Sequence, residues 1–398
     1  MKLLHTSDWH LGQNFMGKSR EEEHKAFLSW LLKTLEQNQI ELLLVSGDIF
    51  DTGTPPNYAL ELYYNFLKEL SNIDSLKTTI ITAGNHDSVS TLKAPKQLLE
   101  ALNVHVIVNG DEDENIIIPI KEEGKSKAVV CAVPFLRDSV IRQSLSGETV
   151  SDKEKLANDG IKTYYEKAYN KAKELSPNTP IIAMGHLTTV GSRSSESERD
   201  IYIGGTLDIG GDYLGSLFDY VALGHLHINQ TVSSNHVRYS GSPIPLSFSE
   251  SKNTQKVNLV NIDESVEVEE LAVPLLRKLQ VIKGDLKTII NELKELKDKS
   301  TWIEVHIKDD NPMFANTQIR EEAAKLGLII LAVKIEKSEK ALQAKELKAI
   351  SLDELSVDDV FKKRLEQENI ENKEFKEQLT LSFSQIVEKL HSSEDMNL

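Results

Sequence analysis

Along the first half of the chain, apolar residues come in short continuous runs, each stopping at a small polar cluster. KLLHT at 2–6 reads as a short buried strand that ends in Ser7-Asp8. Within 20–37, Phe27, Leu28, Leu31, Leu32 and Leu35 fall on one face at helical spacing. ELLLVSGD (41–48) is a second apolar run, ending in Gly-Asp, and Pro55-Pro56 opens a second helix. TTIITAGNHD (78–87) repeats the form: strand, glycine, polar residues. Strand–helix–strand–helix–strand with such strands implies a largely parallel, buried sheet and an α/β fold. Further strands are predicted at 115–119 and 127–133, and a polar helix at 152–174. PIIAMGH (180–186) and YVALGHLH (220–227) then repeat a strand followed by Gly-His, and alternating strands follow at 236–240 and 255–262.

The pattern changes near residue 270. RKLQVIKG, DLKTIINELKEL, TWIEVHIK, a helix near 315–326 and LGLIILAVKIEK read as β-α-β-α-β, a small separate α+β domain. After Ser338 the chain turns helical and highly charged, and glycine is absent from 328 onward. Three regions are expected: 1–270, 271–338 and 339–398. In the last, Leu352, Leu355, Val357, Val360, Phe361 and Leu365 fit an amphipathic helix pair. Residue pattern alone leaves open whether that face packs on its own domain or on a partner. No internal repeat and no low-complexity linker is visible.

Composition narrows the class. No run of about 18 apolar residues occurs, so no membrane span is expected, and MKLLHTSDWH lacks the apolar core of a signal peptide. The chain reads as cytoplasmic. Its single cysteine, Cys131, lies in AVVCAVPF and reads as a buried strand residue. The net charge is −16, of which −13 falls in the first 270 residues. Proteins that hold DNA unaided usually present a basic face, so autonomous tight DNA binding is not expected. Bound cations or a partner would have to supply positive charge.

Five polar clusters share one grammar, each standing where an apolar strand stops: Asp8-Trp9-His10, Gly47-Asp48, Gly84-Asn85-His86-Asp87, Gly185-His186 and Gly224-His225-Leu226-His227. In open α/β sheets, ligands bind outside the carboxyl ends of strands, so these distant segments can converge. Carboxylate, imidazole and amide oxygen, with no thiolate, suit Mn²⁺, Fe²⁺ or Zn²⁺ and disfavour a structural zinc site. Asp8 and His10, spaced i and i+2, would point the same way from an extended segment, and His225 and His227 share that spacing. Two adjacent cations need a bridging carboxylate; Asp48, alone on its strand end, is the candidate. His5, His24, His105, His236, His306 and His391 lack this context and read as surface or packing residues.

The series D-x-H, G-D, G-N-H-D, G-H, G-H-x-H resembles the calcineurin-like metallophosphoesterase superfamily. HTSDWHLGQ, VSGDIFDTGTPP, AGNHDS, GHLTTVG, SERDIYIGG, ALGHLH and YSGSPIPLSF narrow the resemblance to the SbcD nucleases, over essentially the whole chain. The resemblance implies a four-layer α-β-β-α sandwich followed by a capping domain and C-terminal helices. It implies one metal on Asp8, His10, Asp48 and His227 and a second on Asp48, Asn85, His186 and His225, with Mn²⁺ preferred. His86 would stand over the phosphate without binding metal, stabilising charge and protonating the leaving oxygen; Asp87 would orient it. Ile228 departs from the pattern, since relatives often carry a basic residue right after the last metal histidine.

The implied activity is hydrolysis by an acidified water without a covalent enzyme intermediate: 3'-to-5' exonuclease action on duplex DNA and endonuclease action on single strands or hairpins. The implied partner is an SbcC-type coiled-coil ATPase that docks on the C-terminal helices, with a homodimer inside a heterotetramer. No Walker-type glycine loop is present, so any ATP dependence belongs to that partner. A stand-alone phosphodiesterase acting on small phosphoesters would share the same metal site. The extra ~130 residues after the catalytic region argue against it.

Overall fold

KLLHT forms β1 (Lys2–Thr6), buried save for Lys2. The computed structural model describes residues 1–94, 96–110, 115–122, 124–141, 150–198, 209–309 and 311–336, together with 379, 382 and 383. A hairpin of β2 (Asn14–Phe15) and β3 (Lys18–Ser19) leads into α1 (Glu21–Gln37), β4 (Leu42–Ser46), α2 (Asn57–Leu70) and β5 (Thr78–Thr82). Short helices α3 (Val89–Lys93) and α4 (Lys96–Glu100) and strand β6 (Val104–Ile107) complete the first half. The second half runs β7 (Ile117–Glu122), β8 (Lys125–Ala132), α5 (Asp138–Ile141), α6 (Val150–Leu175) and β9 (Ile181–His186). It continues through α7 (Gly211–Leu217), β10 (Tyr220–Gly224), β11 (Gln230–Val232) and β12 (Ser234–Tyr239). β13 (Lys256–Ile262) and β14 (Val266–Ala272) then return to the first sheet.

That sheet has the order β14-β13-β1-β4-β5-β6, with β1, β4, β5 and β6 parallel as the sequence predicts. The second has the order β11-β12-β10-β9-β8-β7, parallel across β8, β9, β10 and β12 and antiparallel at both edges. Strand side chains alternate between two buried faces. Leu3, Leu42, Leu44 and Ile80 of the first sheet meet Val130, Ile182 and Ala222 of the second in one cluster. Their neighbours Leu4, Leu43, Val45 and Ile81 pack instead with Leu31, Leu35, Tyr63 and Leu67 of α1 and α2. On the far side, Val129, Cys131, Ala183 and Val221 pack with Ile161, Tyr165 and Ala168 of α6. The result is the expected α-β-β-α sandwich, and burial on both faces explains why the strands read as unbroken apolar runs. Cys131 is fully buried, and burial pushes its thiol up to about 12.

Two strands escape the apolar pattern. β6 has only four residues. β14 (VEVEELA) is a sheet edge with no fully buried position, so its alternation is shallow. Pro56 stands at the N-cap of α2 in extended backbone, one position outside the helix it was expected to begin.

Beyond Ala272 the predicted β-α-β-α-β follows: β15 (Leu279–Gly284), α8 (Leu286–Glu295), β16 (Trp302–Ile307), α9 (Pro312–Lys325) and β17 (Ile329–Ile335), in a parallel sheet β15-β16-β17. Asp285 caps α8 by accepting the Thr288 N–H, and Asn311 caps α9 by accepting that of Phe314. Ile303, Val305 and Ile307 fill the core against α8 and α9. On the opposite face, Trp302 stacks on Phe15 with ring centres 5.7 Å apart and planes 8° from parallel. The Arg277 guanidinium lies 4.4 Å from the Trp302 ring, and that of the buried Arg20 lies 5.5 Å from it. Arg20 also donates to Glu23 (2.9 Å) and to the Pro245 carbonyl (2.9 Å). This stack fixes the small sheet to the sandwich. Trp302→Ala should lower the unfolding free energy by about 3–5 kcal/mol in urea denaturation; a change below about 1 kcal/mol would show that the stack contributes little.

Among the described residues, no helix is long and apolar enough to cross a membrane. The region expected at 339–398, with its amphipathic helix pair and His391, lies outside the described residues apart from Leu379, Ser382 and Phe383.

Candidate metal centre

β1, β4 and β5 of one sheet and β9 and β10 of the other carry the five polar clusters at their carboxyl ends, and the loops beyond them meet. Asp8 (φ 52°), His10 (φ 46°), Asp48 (φ 48°) and His225 (φ 96°) all adopt left-handed backbone, which non-glycine residues rarely enter. This corrects the expectation for Asp8 and His10. β1 has ended at Thr6, and tight turns aim the two side chains, not the alternation of an extended strand. The turns are held by backbone hydrogen bonds from Asp8 N–H to Gly47 O (3.0 Å) and from His10 N–H to Asp48 O (3.0 Å). Two glycines permit the approach: a Cβ at Gly84 would lie 2.1 Å from Asp48 Oδ1, and one at Gly47 2.1 Å from His186 Nδ1.

Asp48 stands at the middle. Its Oδ1 accepts the His86 N–H at 2.9 Å, while Oδ2 lies 3.3 Å from His186 Nε2 and 3.6 Å from His10 Nε2. Possible ligand atoms lie within 4.8 Å of one another in three groups: Asp8, His10 and His227; Asp48, His186 and His225; and His10, Asp48 and His86. Asn85 Oδ1 is 3.0 Å from His186 Nε2. All seven predicted ligands therefore converge, and all but the half-buried Asn85 are buried.

The histidine rings are oriented from behind. His186 Nδ1 lies 3.0 Å from the Ser46 carbonyl, and His86 Nδ1 lies 2.7 Å from that of Asp51. A carbonyl only accepts, so each Nδ1 carries hydrogen. His227 Nδ1 lies 2.6 Å from Ser197 Oγ, whose own hydrogen goes to Glu250, so there too Nδ1 donates. His10 Nδ1 is 3.2 Å from Asp51 Oδ1. In each ring, Nε2 is left for the site. His10 Nε2 is buried with no hydrogen-bond partner, a costly state that a bound cation would relieve. This orphaned atom and the all-nitrogen-and-oxygen donor set fit divalent metal.

The electrostatics point the same way. Burial alone would raise the Asp48 carboxyl, but His186, His10 and His86 outweigh it and hold Asp48 well below the ordinary carboxylate range. Burial would lower His186, yet Asp48 brings it up to about 9. His227 is likewise brought to about 9 against burial, by Glu250 and Asp8. His225 is lowered, by burial first and by His186 next. The buried carboxylates thus draw in positive charge, which protons supply where metal does not.

Comparison with known proteins agrees with this geometry. Residues 1–229 match the calcineurin-like phosphoesterase family, and residues 275–369 match the Type 5 capsule protein repressor C-terminal domain. The chain is 39% identical over 383 residues to the SbcD subunit of the SbcCD nuclease from Escherichia coli (strain K12), covering 93% of this chain and 94% of that one. It is 30% identical over 375 residues to the Bacillus subtilis (strain 168) protein of the same name, covering 92% and 93%. The chain belongs to the SbcD family of calcineurin-like phosphoesterases.

In this SbcD-family chain the role expected of Asp87 needs correction. Its carboxylate accepts the backbone N–H groups of Gly84 (2.9 Å), Phe50 (3.0 Å) and Ile49 (3.1 Å). It braces two loops, and the Asp51 carbonyl orients His86 instead. Burial, with Asp48 close by, still lifts Asp87 to about 6 against those three donors. The residue pattern also left other supports of the SbcD site unassigned. Ser7 Oγ donates to Asp8 Oδ2 (2.5 Å), and Glu198 Oε1 accepts the His227 N–H (2.6 Å). Buried Glu250 accepts the Leu246 N–H and lies 3.6 Å from His227 Nδ1. Asp51 stood within the quoted VSGDIFDTGTPP, whereas no spacing signal connects Glu250 with His227. Of the histidines set aside, His5 and His24 are core residues, and burial lowers each to about 3.

Proposed function

We propose that this chain is the nuclease subunit of an SbcC–SbcD-type complex and hydrolyses phosphodiester bonds of DNA at this centre. The observation that carries the reading is the single Asp48 oxygen facing His10 on one side and His186 on the other. Asp8, His10, Asp48 and His227 would hold one cation, and Asp48, Asn85, His186 and His225 a second, with Mn²⁺ preferred. Such cations supply a water acidified to near neutrality and neutralise charge on the phosphoryl oxygens.

The chain's own groups do the rest. Asp51 and Glu250 keep the rings of His10 and His227 in place. His86, tethered through Nδ1, presents Nε2 to the cleft that it lines with His10 and His227. From there it donates a proton to a phosphoryl oxygen or to the leaving sugar oxygen. By likeness to the named relatives, the partner is an SbcC-type ATPase, the assembly a homodimer within a heterotetramer, and the setting cytoplasmic. The expected products come from 3'-to-5' digestion of duplexes and opening of hairpins. The −13 carried by the first 270 residues suits a subunit whose partner brings basic surface.

The purified chain with Mn²⁺ should cut a labelled DNA hairpin as well as a generic phosphodiester dye. Hydrolysis of the dye with the hairpin untouched, even with an SbcC-type partner and ATP, would replace this reading with a stand-alone phosphodiesterase for small phosphoesters.

A further inference from the structure

The cleft over the metal centre, about 330 Å³ in volume, has two walls from different parts of the chain. His10, His86 and His227 form one; Glu304 of β16 and Lys334 of β17 belong to the other. Its lining is poor in positive charge. Asp51, Glu196 and Glu304 contribute carboxylates, and among the described residues Lys334 is the only lysine or arginine that lines it. A polyanion reaching the metals must pass this acidic rim. The basic residue that relatives often carry after the last metal histidine is absent here, with Ile228 in its place.

Lys334 is held rather than free to wander. Glu304 is 3% exposed, and its two oxygens are divided between His306 Nε2 (2.7 Å) and Lys334 Nζ (3.0 Å). Alternation along β16 puts Glu304 and His306 on the face away from the α8 and α9 core, which takes Ile303, Val305 and Ile307. Lys334 is the register partner of His306 across β17, and Lys283 is its register partner across β15. A row of two lysines flanking a histidine therefore crosses this face of the small sheet, with Lys334 at the cleft. The Lys334 side chain is 53% exposed. That leaves its ammonium able to meet a phosphate while Glu304 limits its range.

We infer that Lys334 is a substrate-positioning residue: it binds a backbone phosphate of the DNA next to the scissile one, with Glu304 setting its place. This rests on the nuclease reading above. A purely structural role, an ion pair bracing β16 against β17, predicts different behaviour, and three readouts separate the two. All use the full chain with Mn²⁺.

Lys334→Glu should raise the KM for a DNA hairpin about tenfold or more while kcat falls less than about twofold, as expected when a phosphate contact outside the chemistry is reversed. The slope of log(kcat/KM) against log salt should become shallower by about one charge. Lys334→Arg should restore both, and the preference for DNA over the phosphodiester dye should drop in Lys334→Glu alone. Three results would overturn the inference: an unchanged KM and salt slope, equal loss on DNA and dye, or failure of arginine to rescue. A parent chain that hydrolyses the dye but no DNA would instead bring down the nuclease reading, a result distinct from any of these.

Discussion

Asp48→Asn should strip the centre of both cations and reduce turnover by about 10⁴-fold, or about 5–6 kcal/mol of barrier. Asparagine is the informative replacement. It tolerates the left-handed backbone at φ 48°, which alanine would not, so strain is kept out of the comparison. It also keeps an acceptor for the His86 N–H, so the loop stays tied. What it loses is the charge, and that charge lies within 3.6 Å of both His10 Nε2 and His186 Nε2. Without it, each group keeps imidazoles but not the shared carboxylate. Metal content by mass spectrometry should fall in parallel with activity. Asp8→Asn, which touches one group only, should lose metal less completely. An Asp48→Asn protein that retains its metal and works within tenfold of the parent would remove Asp48 from the shared position.

The difference between what the residue pattern carries and what it cannot carry is visible in these two aspartates. The strand ends were legible because β1, β4, β5, β9 and β10 are buried on both faces, which forces continuous apolar runs that stop where solvent begins. The cap sheet was legible too, through helix spacing and caps such as Asp285 and Asn311. Local aim was not. Asp8 and His10 converge through left-handed turns pinned to Gly47 and Asp48, contacts between residues about 40 positions apart that no local period encodes. The same holds for the supports. Asp87 stands beside His86 in the chain, which suggested that it orients that ring, yet its carboxylate satisfies three amides of neighbouring loops. Glu250 reaches His227 from 23 residues away through a serine and a buried turn. Ligands announce themselves by type and spacing; the groups that orient them are chosen by three-dimensional neighbourhood.

His86→Ala should keep its metal and lose about 10³-fold in kcat on DNA, the size expected for a positioned acid or a charge-stabilising donor. Geometry alone leaves two roles for this ring, since His86 groups with His10 and Asp48 closely enough to hold a cation and packs against His10 at 4.9 Å between ring centres. The tether decides between them in principle. Nδ1 is committed to the Asp51 carbonyl at 2.7 Å, so any cation would have to be taken by Nε2, the nitrogen the reaction needs. Metal content in the variant therefore separates the roles: loss of cation together with activity makes His86 a ligand, and retention makes it a substrate-facing group. The nature of its catalysis can be read from the leaving group. A nitrophenyl phosphodiester departs without help from an acid, whereas the sugar oxygen of DNA needs a proton. If His86 protonates the leaving oxygen, the variant should be impaired far more on DNA than on the dye. If it stabilises the phosphoryl oxygens, both substrates should suffer alike, because both develop the same charge there.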